Sequence, residues 1–300
     1  MRDQKKTERN GPRACGSGKK YKKCCGNNPN SSSLSEQVLL KPGICNFECA
    51  VDCAGQCCGG ATVITIDEIG RLYDVFPITV GFRKYIPADA GHEAFLEAIG
   101  TRNGGHFIVG DFIAGNWRTA RCALLGNDNL CGLHMEGRKP AQCSLVPFCA
   151  IYPEERQDAV FIEQKKTAFS RCGGFRAHND TSAVVWRDGS FTGKLYRAAF
   201  SAFRSGLLRQ KPFMMKILGE LKRQNVFREF MRGSGVLESA IPGNMLVDLL
   251  DAAGVPAEAR INYIDRQKEL FVLQLRKTEK TIAVFADSIE TLRKIQEEGI

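Results

Sequence analysis

Residues 45–69 read CNFECAVDCAGQCCGGATVITIDEI, and the rest of the chain is best read outward from them. Cys45, Cys49, Cys53 and Cys57 are each separated by three residues, and Cys58 follows Cys57 directly. The β-branched run Thr62 to Ile66 predicts a short strand, and Ile66-Asp67-Glu68-Ile69 suits the start of a helix. The chain holds 13 cysteines in 300 residues, and they are bunched. Cys15, Cys24 and Cys25 lie near the start; Cys122, Cys131, Cys143, Cys149 and Cys172 form a later group. A chain that used cysteine only as a small buried hydrophobe would scatter it. Thiols spaced two to four residues apart can converge on one centre, as a metal ion or an iron–sulfur cluster requires.

Disulfides are the competing explanation. They belong mainly to oxidising compartments and to small domains short of core. Met1 to Asn10 is charged, without the apolar stretch of a signal peptide. No apolar run approaches the ~20 residues of a membrane span. The expectation is a cytosolic protein with no membrane span and reduced thiols, and the odd cysteine count argues against a complete disulfide framework.

Length allows a proper core, and 43% apolar content is that of a globular protein. The net charge of +9 is concentrated at the front. Residues 1–26 carry nine Lys and Arg against Asp3 and Glu8, so the body is nearly neutral and the head is basic. Such a head can meet an acidic partner, RNA or a phosphate surface, or it can simply be a soluble tail whose lysines oppose thiolate charge. Gly26 to Ser35, GNNPNSSSLS, reads as a flexible linker. The expected units are a basic finger over 1–26, a linker over 27–40, a cysteine-cluster domain over 41–176 and a helical region over 177–300. Within the last, Leu207–Leu208 and Phe213–Ile217–Leu221 have helical spacing, with Pro212 breaking the run between them. Met245–Leu246–Leu249–Leu250 reads as a short helix, and Ile282 to Ile295 as a final one. His106 to Val109 reads as a strand bracketed by Gly105 and Gly110, and Asp188-Gly189 as a hairpin turn. The expected fold class is α+β, mostly helical, a small metal-organised domain with a zinc-finger-like hairpin in front and helices behind.

Arg9 to Gly26 reads RNGPRACGSGKKYKKCCG. It resembles the SEC-C zinc finger, named for the C-terminal tail of the SecA translocation motor, whose pattern is C-x-C-x8-C followed by Cys or His. The resemblance implies a zinc finger on Cys15, Cys24 and Cys25, which docks to a protein or to the ribosome. The family's first cysteine falls at Arg13, and a guanidinium cannot ligate a cation. Water, Cys45 or no ligand at all would take the fourth place.

The later blocks are Arg121-Cys122-Ala123-Leu124-Leu125, Cys131-Gly132-Leu133-His134, Arg138-Lys139-Pro140-Ala141-Gln142-Cys143, Pro147-Phe148 and Cys172-Gly173-Gly174-Phe175. With the front cluster they resemble, over roughly 45–176, the YkgJ-type cysteine-cluster family, described as zinc- or iron-chelating. The resemblance implies a ligand set of Cys49, Cys53, Cys57, Cys58, Cys122, Cys131 and Cys143, with Cys172 as an eighth. Eight thiolates exceed one zinc ion, and suit two four-thiolate ions or clusters, or one centre plus a redox pair. Cys57 and Cys58 on an extended chain would point apart and serve different centres. His134 stands three residues after Cys131, a possible ligand spacing.

An enzyme is the alternative class. Cys53-x3-Cys57-Cys58, Ile66-Asp67 and the later cysteine blocks also resemble flagellin lysine-N-methylase, a longer protein with a different C-terminal half, and an iron–sulfur redox protein is a further form of that alternative. Cys58 and Cys172, each next to a Gly-Gly pair, would then be the reactive thiols. No phosphate loop, nucleophile elbow, metalloprotease motif, dinucleotide fingerprint or specific nucleic-acid motif is present in the sequence.

Overall fold

The computed structural model describes residues 40–49, 56–58, 61–115, 122, 124–126 and 131–277. The basic finger with Cys15, Cys24 and Cys25, most of the linker, Cys53 and the helix expected over 282–295 lie outside the described residues. The strands are β1 (Ile44–Asn46), β2 (Thr62–Ile64), β3 (Ile78–Tyr85), β4 (Gly100–Asn103), β5 (His106–Ala114), β6 (Val184–Arg187), β7 (Ser190–Phe191) and β8 (Leu237–Ser239). The helices are α1 (Ile66–Leu72), α2 (Ala90–Ile99), α3 (Gly132–Met135), α4 (Ala141–Leu145), α5 (Gln157–Lys166), α6 (Lys194–Leu221), α7 (Asn225–Arg232), α8 (Leu246–Ala252) and α9 (Ala257–Lys277). The fold class is α+β.

Two sheets form. The larger has the order β2-β5-β3-β8, with β4 also paired to β5; the smaller has the order β1-β6-β7. β5 is the axis, antiparallel to β3 from Ile78↔Ala114 to Tyr85↔Phe107. Its nearly unbroken apolar sequence follows from burial on both sides, because successive side chains point to opposite faces. Ile108, Phe112 and Ala114 enter one hydrophobic core with Ile78, Val80 and Phe82. Phe107 and Val109 enter a second core with Phe95, Leu96 and Ile99 of α2.

Gly110 does not end the strand, contrary to the sequence expectation. A Cβ there would stand 2.7 Å from the Phe82 ring and 2.8 Å from Met214 Sδ, so the glycine admits α6 against the sheet. Pro212 likewise lies inside a continuous helix. A proline in a helix interior costs about 3 kcal/mol. Burial on both sides of it offsets that cost: Phe203 and Leu207 sit in the second core, and Met214, Ile217, Leu218 and Leu221 in the first. The Asp188-Gly189 turn is as expected, with both residues at positive φ joining β6 to β7.

Strands from after residue 176 join both sheets. β6 pairs with β1 (Ile44↔Arg187), and β8 pairs with β3 (Val80↔Ser239). Leu246, Leu249, Leu250, Tyr263 and Ile264 share one core with Ile64, Ile66, Ile69 and Leu72. The described core therefore rests on a five-stranded sheet covered by helices, where the sequence reading expected a metal in place of a large sheet. Buried glutamines tie the layers. Gln210 of α6 accepts from Ile66 N (3.2 Å) and donates to Gly110 O (2.9 Å). Gln267 of α9 accepts from Ile78 N (2.8 Å) and donates to Tyr73 O and Phe76 O (both 2.7 Å). Among the described residues no helix is long and apolar enough to cross a membrane.

Candidate metal centre

Three separate pieces of chain bring cysteines to the β2–α1 side of the larger sheet. Cys57 and Cys58 occupy a single 3-10 turn, Gln56–Cys58, not an extended segment. Their sulfurs consequently face each other at 3.9 Å, against the expectation that they point apart. Cys122 N donates to Cys58 O (2.5 Å), which joins the second piece to the first. A bridge between Leu125 and Cys131, with Gly132 N donating to Leu124 O (2.9 Å), returns Cys131 towards Cys122. Both of these thiols rest against the first core. Cys143 belongs to α4, and its thiol donates to Thr62 Oγ1 (3.2 Å) at the start of β2.

The loop that carries Cys131 and Cys143 is fastened to α1. Arg138 Nε donates to Arg71 O (2.9 Å), and the same guanidinium pairs with Asp74. Glu68, with only 4% of its side chain exposed, accepts from Thr65 N (2.9 Å) through one oxygen. Through the other it accepts from Arg71 (2.7 Å) and from Ala141 N (2.8 Å) at the start of α4. A carboxylate is well placed at a helix N-terminus, where amide groups lack partners. Sequence reasoning missed this role for Glu68. The signal was available in Thr65-x-x-Glu68, the spacing of a capping box.

The sulfurs feel one another. The Cys57 thiol is lowered to about 6, first by the hydrogen bond from Cys58, against burial, and then by the nearby charge of Lys139. Cys58 is pushed strongly up, first by that same hydrogen bond, then by burial and by charge on Cys57, Cys122 and Cys143. Cys143 is pushed up to about 11, chiefly by burial, with charge on Cys131 and Cys122 adding to it and Lys139 opposing it. Cys122 is raised by burial and by Cys131 and Cys57. Mutual repulsion of this kind disfavours several thiolates together, and a bound cation removes it.

Thiols are the donors that a thiophilic cation takes. Tetrahedral thiolates at 2.3 Å from zinc stand about 3.8 Å apart, close to the observed Cys57–Cys58 separation of 3.9 Å. Among the described residues no three His, Cys, Asp or Glu side chains already enclose a cation position. The nine described cysteines form no disulfide.

Two further predicted ligands among the described residues are Cys49 and Cys172. Glu48 N donates to Gly174 O (2.9 Å) and Phe47 bridges Phe175, which puts Cys49 beside the segment that follows Cys172. Cys172 Sγ accepts from Gly174 N (3.4 Å) and packs against the second core. Charge on Cys49 contributes to the raised pKa of Tyr196 on α6, after burial. Charge on Cys57, Cys122, Cys131 and Cys143 thus reaches across the β2–α1 side of the sheet, and Cys49 stands beside the segment that follows Cys172. Cys45 is buried, with a thiol pKa raised by desolvation and by Asp158. His134 is exposed on α3. Comparison with protein-family models, with curated proteins and with solved structures gave no match.

Proposed function

We propose that this chain is a metal-binding protein whose centre is formed by Cys57, Cys58, Cys122, Cys131 and Cys143, with Cys53 as a further donor. The observation that carries the reading is the 3.9 Å approach of the Cys57 and Cys58 sulfurs, with Cys122 and Cys131 brought towards them by backbone bonds at the edge of a hydrophobic core and Cys143 held on Thr62. Four thiolates satisfy one zinc ion or one iron–sulfur cluster, so the set is large enough for either. Zinc would lock the three pieces together; an iron–sulfur cluster would in addition accept or release an electron. The chain's own contribution is to rest Cys122 and Cys131 against the core, to hold Cys143 on Thr62 and to supply Lys139 as a nearby positive charge. The basic finger is the docking arm in this reading, directed at a protein or ribosomal partner, and cysteines without disulfides suit the reducing cytosol.

The test is the metal content and absorption spectrum of full-length protein purified anaerobically. The expected result is at least one equivalent of zinc, colourless, or of iron with the brown absorption of an iron–sulfur cluster. Metal-free protein that also fails to take up zinc or iron with reduced thiols would reject the reading. Where iron is found, loss of colour on oxidation followed by recovery on reconstitution separates a cluster from iron bound adventitiously.

A further inference from the structure

We propose that Glu68 is the positioning residue of this centre, and that it sets the reach of Cys143 through the N-terminus of α4. The inference rests on the metal reading of Cys57, Cys58, Cys122, Cys131 and Cys143. The α4 helix is only five residues long, Ala141–Leu145. One helical turn in isolation is far below the length that sustains itself in water. It must be held by its surroundings, and its buried first amide, Ala141 N, has the Glu68 carboxylate as its acceptor at 2.8 Å. Cys143 lies two residues further along. The second oxygen of Glu68 accepts from Thr65 N, three residues after the Thr62 hydroxyl that accepts from the Cys143 thiol. One carboxylate therefore fixes both the helix that carries this sulfur and the strand–helix junction on which the sulfur rests. Arg71 at 2.7 Å compensates the buried charge, which would otherwise be costly. Glu68 touches none of the sulfurs; it acts by fixing Cys143 relative to the other four.

Cobalt(II) distinguishes this role from general support of the fold. Bound to thiolates, it shows sulfur-to-cobalt charge-transfer absorption whose intensity per bound ion grows with the number of sulfur ligands. Full-length, reduced, metal-free protein is titrated with cobalt(II) as wild type, Glu68→Ala, Ala141→Pro and Cys143→Ser. Proline at a first helical position keeps the backbone shape, removes the amide that Glu68 receives and puts its Cδ in the place of that hydrogen, so that the carboxylate is displaced from α4. Glu68→Ala and Ala141→Pro are both expected to lose the same share of intensity per cobalt as Cys143→Ser, and to bind it about tenfold or more weakly. Folded variants with wild-type intensity per cobalt would overturn the proposal, whatever happened to their melting temperature. Should Glu68→Ala not fold, Ala141→Pro gives the decision alone. Wild-type protein that binds no cobalt would overturn the metal reading itself and the positioning role with it, an outcome visible before any variant is compared.

Discussion

Cys58→Ser is expected to remove the bound metal and to destabilise the protein by about 4 kcal/mol or more, the scale reached when a structural metal is lost. Cys58 joins two of the three pieces: its sulfur faces Cys57 and its carbonyl receives Cys122 N. A serine oxygen in its place is a poor ligand for a soft site, and the remaining thiols lose the cation that relieved their repulsion. Cys149→Ser is the matched control. Cys149 packs against the second core, with a thiol pKa raised by burial and its backbone clasped by Gln157. Serine there is expected to cost about 1–2 kcal/mol for burying a hydroxyl, with metal content unchanged. Metal analysis and urea unfolding of the two variants check the contrast. Equal metal loss in both, or full metal retention in Cys58→Ser, would place the centre elsewhere.

Gln267→Leu is expected to destabilise the protein by roughly 3 kcal/mol or more. Its side chain is buried and satisfies three backbone groups, Ile78 N, Tyr73 O and Phe76 O. Leucine has similar volume but leaves all three without partners, at about 1–3 kcal/mol for each buried orphan. The same change tests whether α9 belongs to the sheet-centred core, since Ile78 opens β3. A urea midpoint within error of wild type would mean that α9 is peripheral to the core.

Local signals in the sequence were reliable where one residue dictates one backbone state. Asp188-Gly189 made its turn, Thr62 to Ile66 gave β2 followed by α1, and Leu246, Leu249 and Leu250 gave α8. They failed where a distant partner decides. Gly110 and Pro212 are breakers by local rule, yet each sits within a long element whose two faces are buried by remote parts of the chain. The polar glutamines at 210 and 267 carry no local mark, because their partners are backbone groups 100 or more residues away. The cysteine spacing predicts a gathering of thiols, and the described structure joins the backbones of Cys122 and Cys58. Spacing could not foretell the 3-10 turn that faces Cys57 towards Cys58, nor the pairing of β1 with β6 that draws the Cys49 side towards the smaller sheet.

X-ray absorption at the edge of whichever metal the full-length protein retains tests the central claim most directly. The account predicts a shell of three or four sulfur neighbours at about 2.3 Å, reduced by one sulfur in Cys143→Ser. A shell of oxygen and nitrogen without sulfur, or a sulfur shell indifferent to Cys58 and Cys143, would contradict it.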